Sequence, residues 1–158
     1  MKTPFDNWKI YLDTWCLSRP DDIATNVRIQ REAEAVETII DYCSTGQWFW
    51  IGSEILTFEV NNTQNQNKRN QIQSRLNYVY QHIIINLEET LKAKYFESLG
   101  FKQADALHLA CAESGNVDAF LTTDNGILRR AKRFSSQLQV SVENPYEWLQ
   151  EMIRDEYP

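Results

Sequence analysis

Short apolar runs alternate along this chain with longer segments of helical spacing, and that alternation restricts its fold more than any other feature. Trp8 to Asp13, Trp48 to Ile51, His82 to Asn86, Val117 to Thr123 and Leu138 to Val142 have strand character. Between the first two, Ile29, Ala33, Val36, Ile40 and Cys43 recur at threes and fours, which predicts a helix over Val27 to Cys43. Strands separated by helices require crossover connections, so the pattern predicts an α/β fold with a central, mainly parallel sheet of four or five strands.

Local stop and start signals divide the rest. Gly46 closes the first long helix, and Ser53 is a good N-cap for a helix running to about Asn61. Thr14 to Asn26, with Pro20 and Asp21-Asp22, is expected to be a loop, as is the Asn- and Gln-rich stretch Asn61 to Asn70. Helices are expected over Gln71 to Gln81 and over Leu87 to Leu99, the latter ended by Gly100. Gln103 to Ser114 is apolar nearly all round and should be a buried helix. Asn125 to Phe134 forms a basic helix, and Pro145 opens a last one.

With 158 residues and no linker or repeat, the expectation is a single domain, 1–158, large enough to bury a core. The net charge of −6 argues against sequence-independent nucleic-acid binding driven by charge. Three scattered cysteines make neither a disulfide framework nor a zinc ribbon. No stretch has the make-up of a signal peptide or a membrane span, so a cytoplasmic protein is expected.

Four carboxylates carry the chemistry. Asp13 and Asp124 each follow an apolar strand run, at the sheet edge where α/β proteins bind ligands. Glu59 falls three and four residues after Leu56 and Ile55, on an apolar helix face where an acid needs a partner. Asp105 opens the buried helix and has almost no other charge around it from Ala104 to Ala112. Singly, capping and helix-dipole roles explain Asp13, Asp105 and Asp124, and the dipole alone explains Glu54. Together the four fit a hard-cation site for Mg²⁺ or Mn²⁺, suited to phosphodiester hydrolysis.

The residues Tyr11-Leu12-Asp13-Thr14, Ser53 to Glu59, Asp105-Ala106-Leu107-His108-Leu109-Ala110 and Leu121-Thr122-Thr123-Asp124 resemble, in that order, the motifs of the PIN domain. Many small metal-dependent ribonucleases have this fold, including toxins of the VapC type. The resemblance spans roughly Trp8 to Leu149 and implies a PIN-like three-layer α/β/α architecture. It also implies Mg²⁺ or Mn²⁺ at Asp13, Glu59, Asp105 and Asp124, with Thr122, Thr123 and Asn125 in support and Glu54 nearby. The implied activity is cleavage of single-stranded RNA, with RNA as substrate and with an antitoxin protein and a second copy of the chain as further partners. Asn125 stands where many relatives carry another acid, so weaker metal affinity is expected. Cys16 to Pro20 also resembles a loop of a bacterial subgroup, in which Arg19 would meet a phosphate.

Arg129, Arg130, Lys132 and Arg133 lie just after Asp124 and are the remaining RNA-binding candidates, against the plainer reading of a solvated helix face. His108-x-x-Cys111 has metal-ligand spacing but no second pair, which favours core packing. Trp15 stands where an aspartyl phosphatase would need a second acid, which removes that reading. A PIN-fold module with weak or no catalysis, binding RNA or protein, is the alternative to a nuclease.

Overall fold

The computed structural model describes residues 3–4 and 6–156. Met1, Lys2, Phe5, Tyr157 and Pro158, the remainder of the 1–158 span, lie outside the described residues. Five strands form one sheet: β1 (Lys9–Leu12), β2 (Phe49–Ser53), β3 (Gln81–Ile83), β4 (Ala119–Leu121) and β5 (Ser141–Glu143). Their order is β3-β2-β1-β4-β5, and every pairing is parallel. The strand order reverses between β1 and β4, and at such a point the crevice beyond the strand ends opens. Leu12 pairs with Leu121 there, and Asp13 N–H donates to Leu121 O at 3.2 Å.

Side-chain alternation on β1 explains the layering. Ile10 and Leu12 point to one face and Tyr11 to the other, and all three are fully buried. On the first face lie α1 (Thr14–Ser18), α2 (Val27–Ser44) and α8 (Pro145–Glu156), which supply Leu17, Val36, Ile39, Trp148 and Met152. On the second face α5 (Leu87–Ser98) and α6 (Gln103–Ser114) pack together and supply Phe96, Leu109, Ala110 and Cys111 around Tyr11 and Phe120. The result is an α/β/α sandwich.

Two expected loops are helical. Asp13 caps α1 by accepting from Cys16 N–H at 3.0 Å, and Arg19–Asp21 continues as a 3₁₀ turn with Pro20 in its first turn, where its missing N–H costs nothing. The polar segment forms α4 (Gln66–Arg75), capped by Asn65, whose Oδ1 accepts from Lys68 N–H at 2.9 Å. Only Ile72 of α4 is buried, so the helix has no apolar stripe to announce it. The helix expected to Gln81 therefore ends at Arg75, a 3₁₀ turn (Leu76–Tyr78) follows, and β3 begins at Gln81. Strand edges also move. β2 runs on to Ser53, because Gly52 and Ser53 pair with β3; β3 stops at Ile83; β5 starts at Ser141.

The remaining helices hold the site elements. They are α3 (Glu54–Asn61), capped by Ser53 as expected, and α7 (Asn125–Arg133), capped by Asp124. Among the described residues no helix is long and apolar enough to cross a membrane.

Candidate active site

Asp13 leaves the end of β1 almost wholly buried, 2% exposed. Its Oδ1 is taken by the α1 cap, while Oδ2 is buried without a well-formed hydrogen bond. Burial pushes its pKa up to about 6, and nearby Asp105 adds to this. The Thr122 hydroxyl, the Cys16 N–H and the charge of His108 pull the other way.

Asp13 shares a cleft of 260 Å³ with Glu59 from α3 and Asp105 and His108 from α6. Asp105 is partly buried, and burial raises its pKa, with Asp124 and Glu59 contributing in the same direction against His108 and Lys102. Asp105 also borders an adjoining depression of 130 Å³ that contains Asp124, Lys102 and Arg130. It is the acid common to both hollows.

Glu59 is held on one oxygen. Thr14 Oγ1 donates to Oε1 at 2.6 Å, and His108 Nε2 donates to the same atom at 2.5 Å. Burial alone would raise this carboxyl, but the bond and charge of His108 and the Thr14 hydroxyl outweigh it, so its pKa lies below the usual value. Behind His108 the network continues: Nδ1 meets Tyr11 OH at 2.6 Å, and Tyr11 OH meets Ser53 Oγ at 2.6 Å. Ser53 Oγ accepts from Leu56 N–H, so its hydroxyl proton is free to go to Tyr11, whose phenol oxygen lies against His108 Nδ1. Every buried polar atom along this path is satisfied.

Asp124 faces its own helix, accepting from Ile127 N–H at 3.0 Å, and its backbone N–H donates to Thr122 Oγ1 at 3.1 Å. Thr122 and Thr123 are buried. Arg28 of α2, a residue with no sequence signal, donates to Thr123 O at 3.0 Å and to Asn125 Oδ1 at 2.9 Å. Asn125 thus anchors the loop to α2. Buried Glu32 fixes Arg28 and Arg19 by ion pairs at 3.0 and 2.9 Å and accepts from Asn144 Nδ2 at 2.6 Å. Glu32 shares the apolar register of Glu59, preceding buried Ala35 and Val36 by three and four residues.

The other candidates fall in different places. Glu54 Oε1 accepts from Ile85 N–H at 3.2 Å and does not line the cleft. Arg19 is engaged by Glu32 and Asp22. Arg129, Arg130 and Arg133 border a shallow hollow of 210 Å³ with Gly126, and Arg130 also donates to Leu99 O. Lys132 lies on a separate groove beside β5. His108 is buried, as core packing required, but its ring serves Glu59 and Tyr11, a role that its sequence neighbours do not signal. Among the described residues no three His, Cys, Asp or Glu side chains are gathered closely enough to hold a metal ion as they stand.

This architecture is shared with a solved structure. A chain in the crystal structure of VapBC2 from Rickettsia felis, bound to a DNA fragment from their promoter, superimposes with a TM-score of 0.52. The match covers 86% of this chain and 98% of that one, at 13% identity. The fold is PIN-like. No family model matches the sequence, and no curated protein matches it. Within the PIN-like fold, Asp13 and Asp124 flank the β1/β4 switch point and Asp105 lies between them in the adjoining hollows.

Proposed function

We propose that the chain, as a single domain, is a divalent-metal-dependent endoribonuclease that hydrolyses single-stranded RNA. The observation carrying this is Asp13: a buried carboxylate with an unpartnered Oδ2, in a cleft that also holds Asp105 and Glu59. A buried acid oxygen that lacks a well-formed hydrogen bond is costly, and a cation would satisfy it. The donor set is all oxygen, as Mg²⁺ and Mn²⁺ prefer, and Mg²⁺ needs only one or two carboxylates with waters and substrate phosphate. The fit therefore does not require a closed three-acid cage. Asp13 and Asp105 would hold the ion, with Asp124 across the adjoining hollow.

Bound there, the metal would supply an acidified water and neutralise charge on the phosphate. Glu59 Oε1 is occupied by Thr14 and His108, which leaves Oε2 as the atom able to take a proton from an attacking water. Arg129, Arg130 and Arg133 would contact flanking phosphates. The fold likeness to VapBC2 supports a toxin role, with an antitoxin protein as partner and a second copy as another. Three buried free thiols, Cys16, Cys43 and Cys111, suit a reducing cytoplasm.

The second reading, a weak or inactive RNA- or protein-binding module, draws on the lack of a preformed three-ligand group among the described residues. Cleavage of single-stranded RNA with Mg²⁺ or Mn²⁺ separates the two. The nuclease reading expects activity in the wild type and its loss in both Asp13→Asn and Asp105→Asn. Activity that survives both substitutions refutes the proposed site. Metal binding by calorimetry, absent in the same variants, tests the cation assignment directly.

A further inference from the structure

Trp15 departs from the other described tryptophans. Trp48, Trp50 and Trp148 are at most 1% exposed, and Trp8 is partly buried with its Nε1 donating to Thr3 O. Trp15 is 57% exposed, and among the described residues its side chain makes no hydrogen bond and no ring contact. It is the second residue of α1, the helix that Asp13 caps, and it lines the same cleft as Asp13, Glu59 and Asp105.

The electrostatics of this cleft limit how it can grip a polyanion. Three of its walls are acidic, and the cation bordering it, Lys68, is paired with Asp22 at 2.8 Å. The arginines of α7 border other hollows, Arg130 also reaching the depression that shares Asp105 with the cleft, where it donates to Leu99 O. Without a bound cation, affinity inside the cleft needs a group that binds nucleic acid without charge, and an uncovered indole face is such a group.

We propose that Trp15 is the stacking platform for an unpaired nucleobase of the RNA strand, next to the phosphate presented to Asp13. The inference rests on the ribonuclease reading of the cleft and deepens it. A base within a duplex is already stacked on its neighbours and cannot offer its face, so the platform selects single-stranded RNA.

The test uses the full chain as wild type, Trp15→Ala and Trp15→Phe, with melting curves confirming that each folds. Binding of a short oligouridylate is measured in EDTA, so that no cleavage intervenes, alongside tryptophan emission and its quenching by acrylamide. Trp15→Ala is expected to weaken binding roughly 5- to 150-fold, with Trp15→Phe restoring most of it. RNA should shield the acrylamide-accessible emission of the wild type, and that signal should be missing in Trp15→Phe. With metal present, the Trp15→Ala defect should fall mainly on KM.

Equal affinity in wild type and Trp15→Ala overturns the proposal, as does unchanged acrylamide access at saturating RNA. Emission already shielded in the RNA-free protein means that another protein surface covers Trp15, and this also overturns it. Stacking without any cleavage refutes the nuclease reading and leaves the platform standing. Cleavage by Trp15→Ala with an unchanged KM does the reverse.

Discussion

Tyr11 of β1 and His108 of α6 share a 2.6 Å hydrogen bond across 97 residues of sequence, and the far side of the His108 ring holds Glu59. The phenol holds the imidazole by Nδ1 and so aims Nε2 at the carboxylate. Removing it with Tyr11→Phe leaves Nδ1 buried and unpaired, at a cost of about 1–3 kcal/mol. Thermal melting should show that loss, and kcat/KM on single-stranded RNA should fall roughly 10- to 100-fold through a misoriented Glu59. A variant equal to wild type in both measurements would remove His108 from the site.

Asp13 makes stability depend on pH in a stated direction. Its pKa rises from 3.8 to about 6 on folding, so the folded protein binds the extra proton between those values. The stabilising share is complete below pH 3.8 and is lost as pH climbs through about 6. Asp13→Asn keeps an oxygen to cap Cys16 and carries no charge to desolvate. It should therefore be more stable than wild type at pH 7.5, by on the order of 3 kcal/mol, with the gap closing near pH 4. Denaturant melts of the pair across that range check this. Mg²⁺ or Mn²⁺ should raise the wild-type melting temperature and leave that of Asp13→Asn unmoved.

Glu32 joins Arg19, Arg28 and Asn144 from a position 1% exposed. Truncation by Glu32→Ala removes the buried partner of two cations and leaves Arg19 with Asp22, and the half-exposed Arg28 with Thr123 O and Asn125 Oδ1. The expected loss is about 2–3 kcal/mol, below the roughly 3–5 kcal/mol typical of fully buried pairs. Urea unfolding measures it. Arg28→Ala should cost less stability but free the Thr123–Asn125 segment, lowering activity more than its melting temperature suggests.

Arg129 and Arg133 test whether the α7 hollow meets phosphate. Removing one cation that meets a phosphate should reduce the slope of log affinity against log salt by about 0.7 on a single strand. Arg129→Ala and Arg133→Ala, alone and together, should show that decrement by fluorescence anisotropy at several salt concentrations. A slope that does not change returns these residues to a solvated helix face.

Local patterning in the sequence was enough for the α/β class, the mainly parallel sheet and most element positions, while the three-layer arrangement was implied by the PIN resemblance. Strand and helix periodicities are properties of neighbouring residues, as are caps such as Ser53 and Asp124. It failed where no apolar stripe exists, as in α4, and where a cap alone starts a short helix, as in α1. The acids were legible for the same reason: Glu59 sits in an apolar register, and Asp13 ends a strand. Packing alone settled their environments. Whether an acid is buried, paired or left with a bare oxygen depends on groups brought from distant segments, and burial strengthens or penalises a charge only once those segments meet. Asp13 became a carboxylate with an unpartnered oxygen, Glu59 one held by Thr14 and His108, and Asn125 an anchor for Arg28. None of those partners is written in the residues beside them.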